Sequence, residues 1–304
     1  MKKTRKVLAL LLVMIMTVTL SVAGTIAYLK DTDEAANTMV LGNVTIDQHE
    51  YQRKVDDDGE LVTEEIDGIN SYVLENFEQD KPLFPAVIPN GGTVNGVKWD
   101  YDTTRVRMTQ VDSYGTAQVF NTPNAQDKFV TVENTGLSDA YVRTIIAFEV
   151  GSAVLEDEEN FKDQPLINSE MRVGEEADGV QPWTFGFVDE VEIAGNNWLV
   201  MELIYTGADL GDGTWRHENG VLPSKDTTYP NLCQVYMASR ATNEDVEALD
   251  GNNNGEYDIL VLSQAVQAAG FESPSLALDT AFGTVEENVA TWMNDLATEV
   301  VPIT

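Results

Sequence analysis

The stretch that decides the fold covers residues 128–150, KFVTVENTGLSDAYVRTIIAFEV. Two runs rich in β-branched and aromatic residues flank the polar segment NTGLSD at positions 134–139. Such runs favour extended strands, and Asn and Gly tolerate the positive φ angles that a turn requires. The stretch therefore predicts a strand, a turn and a second strand.

Outward from this unit, the sequence predicts several more strands. They cover residues 183–188, 197–205, 233–238 and 257–265, and Gly- and Asp-rich joints such as residues 209–213 separate them. Many short strands with turn residues between them are typical of a β-sandwich or barrel. The chain is therefore expected to be mainly β.

Helical patterns are sparse and lie mostly near the C-terminus. Thr284 and Glu287 have the spacing of a capping box. The apolar residues that follow recur at helical intervals: Val285, Val289, Trp292, Met293 and Leu296. Shorter helices are predicted at residues 243–249 and 273–281, the latter with Pro274 in its first turn. The expected result is an amphipathic C-terminal helix that lies on the sandwich.

The composition is strongly acidic. Lys and Arg number 18 and Asp and Glu number 51, which gives a formal net charge of −33. Such a charge repels nucleic acid and anionic membrane surfaces. Since 43% of the residues are hydrophobic, the chain differs from acidic disordered sequences and is expected to fold. Its single cysteine, Cys233, cannot form an internal disulfide and is expected to be a buried apolar residue.

The N-terminus has the pattern of a secretion signal. Four basic residues precede an uncharged segment that covers residues 7–29. A retained transmembrane anchor is the alternative, because about 20 apolar residues cross a bilayer. Only residues 7–16 are densely apolar, however, and small residues follow them, which favours cleavage between Ala27 and Tyr28. Residues 1–27 are therefore predicted to be a signal peptide and residues 28–304 a secreted domain, with the bond after Ala23 as the second choice.

Two segments resemble a known family of exported proteins. Residues 24–31, GTIAYLKD, followed by MVLGNVTI at 39–46, are similar to the SipW-type export signal of Gram-positive bacteria. This signal is found in the TasA/camelysin-like family. Residues 84–92 and 129–143 resemble a second signature of that family, here separated by an insertion. The resemblance implies processing by a signal peptidase of the SipW type.

The same resemblance implies an architecture and a role. TasA/camelysin-like proteins are jelly-roll β-sandwiches of the cell surface or extracellular matrix. It also implies β-strand addition, in which the N-terminal strand of one mature subunit completes the sheet of a neighbour. The apolar residues of the matching strand are Met39, Leu41, Val44 and Ile46. The implied partners are further copies of the chain or other matrix proteins, with membrane contact only through an uncleaved signal.

Zinc chemistry must be considered because camelysin-type proteins have been classed as metallopeptidases. Both histidines, His49 and His217, are followed by Glu, as in the H-E-x-x-H motif. The positions that the second His of the motif must occupy hold Arg53 and Val221. No catalytic residue is therefore predicted, and a metallopeptidase is the least favoured function.

Calcium is the alternative ligand. Oxygen-bearing side chains fall at positions 1, 3, 5 and 9 of an EF-hand-like loop: Asp250, Asn252, Asn254 and Asp258. The twelfth position, where a bidentate carboxylate normally closes the coordination shell, is Val261. A polar turn is the favoured interpretation, since Asn and Gly supply turn geometry. A calcium-dependent surface binding module is the alternative function.

Together these patterns predict a jelly-roll-like β-sandwich with a short C-terminal α-helix. The expected function is that of a secreted, non-catalytic protein of the cell surface or extracellular matrix of a Gram-positive bacterium. No cofactor is required, and assembly into fibres by β-strand addition is expected.

Overall fold

A computed structural model gives the fold. It describes residues 30–33, 44–66, 69–79, 81, 83, 85–86, 93–94, 97–98, 101–102, 119–120, 124–150, 166–174, 181–209, 215–238, 241–252 and 254–299. The proposed signal peptide and the bond between Ala27 and Tyr28 lie outside these residues, as do Met39 and Leu41.

The described chain is mainly β, as predicted, and its strands follow one another in this order. They are β1 (Lys30–Asp33), β2 (Ile46–Arg53), β3 (Thr63–Ile66), β4 (Ile69–Tyr72), β5 (Leu74–Asn76), β6 (Pro85–Ala86), β7 (Thr93–Val94), β8 (Val97–Lys98), β9 (Tyr101–Asp102), β10 (Val119–Phe120), β11 (Gln126–Asp127), β12 (Phe129–Asn134), β13 (Ala140–Glu149), β14 (Ile167–Met171), β15 (Val173–Gly174), β16 (Trp183–Ile193), β17 (Asn196–Tyr205), β18 (Ala208–Asp209), β19 (Trp215–Arg216), β20 (Leu232–Ala238) and β21 (Ile259–Gln267).

Helices follow in the C-terminal third. They are a short 3₁₀ helix (Glu218–Gly220), α1 (Asn243–Leu249), α2 (Pro274–Phe282), α3 (Val285–Trp292) and α4 (Asn294–Glu299). Ser273 caps α2 by accepting a hydrogen bond from the main-chain N–H of Leu276. Thr284 is the N-cap residue of α3, as predicted, but its side chain makes no capping hydrogen bond. The helix also ends earlier than expected, because Met293 separates α3 from α4.

A six-stranded sheet forms the centre of the molecule. Its strand order is β1-β21-β13-β17-β16-β15. The central strand β13 pairs antiparallel with β21 on one side and with β17 on the other. β16 and β17 form a hairpin, in which Ala194 and Gly195 have φ angles of 53° and 86°. These positive values are those of the two-residue turns that match the twist of paired strands.

Two smaller sheets pack on one face of the six-stranded sheet. Their orders are β12-β2-β5 and β11-β20-β14, with β6 beside β20. The largest core cluster joins the layers, because it contains Val142 and Ile146 from the central sheet together with Val130, Val132 and Leu232 from the smaller sheets. This arrangement is consistent with a β-sandwich.

The unit at residues 128–150 forms the predicted strand, turn and strand. β12 and β13 do not pair with each other, however: β12 pairs with β2, whereas β13 lies in the central sheet. The turn therefore crosses from one layer to the other. Asn134 holds it, since its side-chain amide donates to the carbonyl of Ser138 at 2.8 Å and its carbonyl oxygen accepts from the N–H of Gly136 at 3.1 Å.

The C-terminal helices cover the opposite face of the central sheet. Along β13, the odd-numbered residues Ile145 and Ala147 contact the helices, whereas the even-numbered Val142 and Ile146 face the smaller sheets. The helical side of these clusters is lined by small and medium apolar residues: Ala277, Leu278, Ala281, Val285, Val289, Met293 and Ala297. Because both faces are covered, every residue of β13 is buried. Cys233 is also buried, as expected.

Candidate functional site

The edge of the central sheet next to β21 is the candidate functional site. β1 occupies this edge and pairs antiparallel with β21, with Lys30 opposite Val266 and Asp33 opposite Ser263. β1 is thus the first strand of the described chain and one of the two outermost strands of the sheet. An outermost strand is where a further chain can add by main-chain hydrogen bonds.

The two strands of this edge differ in how they are held. β21 is anchored in the core. Leu262 and Val266 pack toward the helices, and Ala265 packs toward the smaller sheets. Ser263 Oγ also donates to Gln48 Oε1 of β2 at 2.7 Å. β1 has the sequence KDTD, which contains no apolar residue. Its main chain pairs with an edge that the rest of the fold keeps in place.

Of the strand predicted to carry assembly, the structure describes Val44 and Ile46, whereas Met39 and Leu41 lie outside the described residues. Val44 and Ile46 are buried in the core that joins the two layers, at 1% and 2% exposure. Ile46 begins β2, which pairs with β12 on one side and β5 on the other. These two residues are thus part of the subunit's own core. The strand nearest the proposed mature N-terminus that lies at a sheet edge is β1, which the sequence did not single out.

The predicted calcium loop joins α1 to β21, and its polar side chains converge. Asp250 accepts hydrogen bonds from the main-chain N–H groups of Asn254 at 3.0 Å and Gly255 at 2.8 Å. Asp258 Oδ2 accepts from the amide groups of Asn252 at 2.8 Å and Asn254 at 3.0 Å. These bonds are the ones that a polar turn needs, while calcium binding stays a prediction.

Glu149, at the end of β13, also contacts this loop, although the sequence analysis did not single it out. Its carboxylate is fully buried and accepts from the main-chain N–H groups of Gly251 at 2.9 Å, Asn252 at 3.2 Å and Asp258 at 3.3 Å. The signal that could have identified it is a lone acid in the apolar run that ends β13. Glu149 therefore ties the loop to the central sheet.

Burial makes the acids of this loop harder to ionise. The pKa of Glu149 is raised from 4.5 to about 7, chiefly because burial disfavours the charged form and also because Asp258 lies nearby. Burial likewise raises the pKa of Asp258, and the charge of Asp250 adds to this effect. Among the described residues, no group of three or more His, Cys, Asp or Glu has an arrangement that could hold a metal ion.

The two histidines lie in different parts of the fold and in different environments. His49 is on β2, where its Nε2 lies 3.1 Å from Glu133 Oε2 and both side chains are about one-third exposed. His217 directly precedes the 3₁₀ helix, and its side chain is 3% exposed. Its Nδ1 lies 2.7 Å from the hydroxyl of Tyr205, and its Nε2 lies 3.0 Å from Asp226 Oδ2. Each ring therefore has its own acidic partner.

Comparison with known proteins finds no match to a protein family, to a curated protein or to a solved structure. Within the part of the chain that the structure describes, no helix is long and apolar enough to cross a membrane.

Proposed function

We propose that this chain is a secreted, non-catalytic protein of the cell surface or extracellular matrix of a Gram-positive bacterium, and that its copies associate by β-strand addition. The observation that carries the proposal is the position of β1. The first described strand lies at the edge of the central sheet, where it pairs with β21. A strand from a neighbouring copy could make the same main-chain hydrogen bonds to that edge.

β1 is held less firmly than β21, which supports the exchange of β1 between copies. β1 has four residues, three of them charged, so its sequence offers little apolar surface. β21 keeps its place without β1, since it also pairs with β13 over nine residues. Ten residues separate Asp33 from Val44. An extended chain of this length spans about 33 Å, so β1 could reach a neighbour while β2 stays in its own subunit.

Secretion is supported by the N-terminal pattern and by the resemblance to the TasA/camelysin-like family. The proposed cut between Ala27 and Tyr28 falls two residues before Lys30, the first residue of β1. A SipW-type signal peptidase is the proposed processing partner. Its cut would give β1 a free chain end close by, and a free end makes insertion into a second sheet easier.

The proposal is tested with purified residues 28–304 and a variant that lacks residues 28–33. Sedimentation velocity and electron microscopy should show oligomers or filaments of the first protein as its concentration is raised. The deletion variant should stay folded and monomeric. A control with Lys30→Ala and Asp33→Ala keeps the main chain of β1 and should still associate.

Two outcomes of that experiment contradict the proposal. One is a protein 28–304 that stays monomeric under all conditions tried. The other is a deletion variant that associates as readily as the full mature chain, since its β1 is missing.

A calcium-dependent surface binding module is the second candidate function. The observation in its favour is that the carboxylates of Asp250, Asp258 and Glu149 all accept hydrogen bonds from the loop of residues 250–258, although they are not arranged as a preformed metal site. Two of these acids have raised pKa values because of burial, and a bound cation would favour their charged forms. Calorimetry with calcium separates this candidate from a simple polar turn.

A further inference from the structure

A chain of three hydrogen-bonded side chains lies at the end of the β13–β17 pair opposite to Glu149 and the loop of residues 250–258. Tyr205 of β17 contacts His217 Nδ1 at 2.7 Å, and His217 Nε2 contacts Asp226 Oδ2 at 3.0 Å. Tyr205 is fully buried, and its ring packs edge-on against the rings of both Trp183 and His217. His217 and Asp226 belong to the segment of residues 215–231, which we call the strap.

We propose that the Tyr205–His217–Asp226 chain is a proton-sensitive latch, which holds the strap on the sheets at neutral pH and releases it when His217 takes up a proton.

The geometry assigns the protons of the latch in its closed form. Asp226 is a carboxylate acceptor, so His217 carries its proton on Nε2 and donates it to Asp226. Nδ1 is then an acceptor, and the hydroxyl of Tyr205 must donate to it. Both hydrogen bonds of the His217 ring are therefore matched only while the ring is neutral.

A second proton on His217 breaks this match. Protonated Nδ1 is a donor and faces the hydroxyl proton of Tyr205, so one of the two groups must turn away inside a buried site. Tyr205 cannot relieve the conflict by ionising, since burial raises its pKa far above the physiological range. Protonation of the imidazole therefore opposes the closed latch.

The overall shift of the His217 pKa is in the same sense, and burial is its main cause. Burial lowers the pKa of His217, and the guanidinium of Arg216 lowers it further, whereas Asp226 raises it. Around Tyr205 and Tyr229 lie two arginines, Arg172 and Arg216, with their guanidinium carbons 4.6 and 4.7 Å from the Tyr229 ring centre. Glu218 follows His217 on the strap and is exposed. The neighbourhood thus holds one carboxylate in contact with the ring and two guanidinium groups.

The strap has an unusual backbone conformation that its contacts must maintain. His217 and Asn219 both have φ angles of 59°, and Lys225 has one of 67°. Non-glycine residues rarely adopt these left-handed values, so surrounding contacts must maintain them. Gly207 shows how closely the strap is packed, because a Cβ there would lie 2.0 Å from the carbonyl oxygen of His217.

Release of the strap would uncover a sheet edge. Thr228 and Asn231 donate main-chain hydrogen bonds to Val132 and Val130 of β12, at 2.9 and 3.0 Å. These bonds cover the side of β12 that faces away from β2. An uncovered edge strand can pair with an extended segment of another chain. The latch would thereby make a second pairing edge depend on pH.

Hydrogen exchange measured by mass spectrometry on purified residues 28–304 tests the latch. Exchange of the amides of residues 222–231, divided by the intrinsic rate at each pH, is compared between pH 7.5 and pH 5.0. A group with an ordinary pKa near 6.5 in the open form can favour opening tenfold per pH unit below that value, or up to about thirtyfold at pH 5. The corrected exchange of the β13 amides should not increase at pH 5.0.

The chain offers a matched control, because it contains two histidines. His217→Gln should reduce the pH effect on residues 222–231 to less than about threefold, whereas His49→Gln should leave it as in the wild type. An unchanged pH effect in His217→Gln, or no pH effect in the wild type, overturns the proposal.

If His217→Gln does not fold, a measurement on the wild type still tests the proposal. The ¹⁵N resonances of the His217 ring report its protonation directly, and the loss of protection in residues 222–231 should follow the same titration curve. Protonation of the folded His217 without loss of protection overturns the latch.

Discussion

The guanidinium of Arg143 lies 2.9 Å from the carboxylate of Glu202, inside the layer between the central sheet and the C-terminal helices. Arg143 is fully buried, and it also donates to Gln264 Oε1 at 2.8 Å, to Asp279 Oδ1 at 3.0 Å and to the carbonyl of Gly283 at 2.9 Å. The Arg143 guanidinium on β13 therefore bonds to residues of β17, of β21 and of the C-terminal end of α2. This arrangement fixes the helical layer on the sheet.

Replacing Arg143 by Met should destabilise the protein strongly. The substitution leaves the carboxylate of Glu202 in a buried site without its cation, and breaking such a pair from one side costs about 3–5 kcal/mol. The free energy of unfolding measured by urea titration tests this value. As a control, Arg143→Met combined with Glu202→Leu should recover part of the loss, because no unpaired charge then remains. A loss below about 1 kcal/mol for Arg143→Met would show that the pair is not structurally important.

Val44 and Ile46 belong to the core of the subunit, whereas β1 is the strand proposed to exchange between copies. Because Ile46 is 2% exposed and packs between the layers, Ile46→Ala should lower the free energy of unfolding of the monomer by about 2–5 kcal/mol. Thr32→Ala in β1 should change it by less than about 0.5 kcal/mol, since that strand is short and lies at the edge. Equal effects of the two substitutions would argue against a subunit core that begins at Val44.

Glu149 should make stability depend on pH in a defined direction. Its pKa is higher in the folded protein, about 7, than the ordinary 4.5, so the folded state binds the extra proton between these values. The resulting stabilisation is fully present below pH 4.5 and is lost as the pH rises through about 7. It amounts to about 3 kcal/mol, at 1.36 kcal/mol for each unit of pKa.

Glu149→Gln isolates this effect from the rest of the acidic chain. The variant should gain stability relative to the wild type by about 3 kcal/mol between pH 4.5 and pH 8, in urea titrations at each pH. Glu256→Gln, which changes an exposed acid of the same loop, should show no such gain. A difference between wild type and Glu149→Gln that is constant with pH would contradict the assignment.

Calcium binding can be decided by titration calorimetry with purified residues 28–304. If the loop of residues 250–258 is a calcium site, the wild type and Glu256→Gln should give the same binding heat, and Asp250→Ala should give none. Asp258→Asn should weaken binding, because it removes a carboxylate that the loop directs inward. No heat in the wild type would remove the calcium-dependent function and leave a polar turn.

Local chemistry explains which elements could be predicted from the sequence. The strands on either side of residues 134–139 and the helices that begin after Thr242, Ser273 and Thr284 follow from propensity and turn residues, with side-chain caps at Thr242 and Ser273. These effects act over a few positions. The polar loop after Leu249 could be recognised for the same reason. The secretion signal and the family resemblance likewise rest on residues close together in the chain, and both stay predictions.

The sequence by itself thus determined a mainly β protein, its principal strands, its C-terminal helices and an acidic surface charge. Only the tertiary structure decided that β12 and β13 belong to different layers and that β1 lies on β21. It alone brought Glu149 to the loop of residues 250–258, Arg143 to Glu202 and Tyr205 to His217. The physical reason is that these contacts join residues up to 236 positions apart along the chain, as for Lys30 and Val266. Burial and charge across the whole fold determine such contacts, so no local pattern of the sequence predicts them.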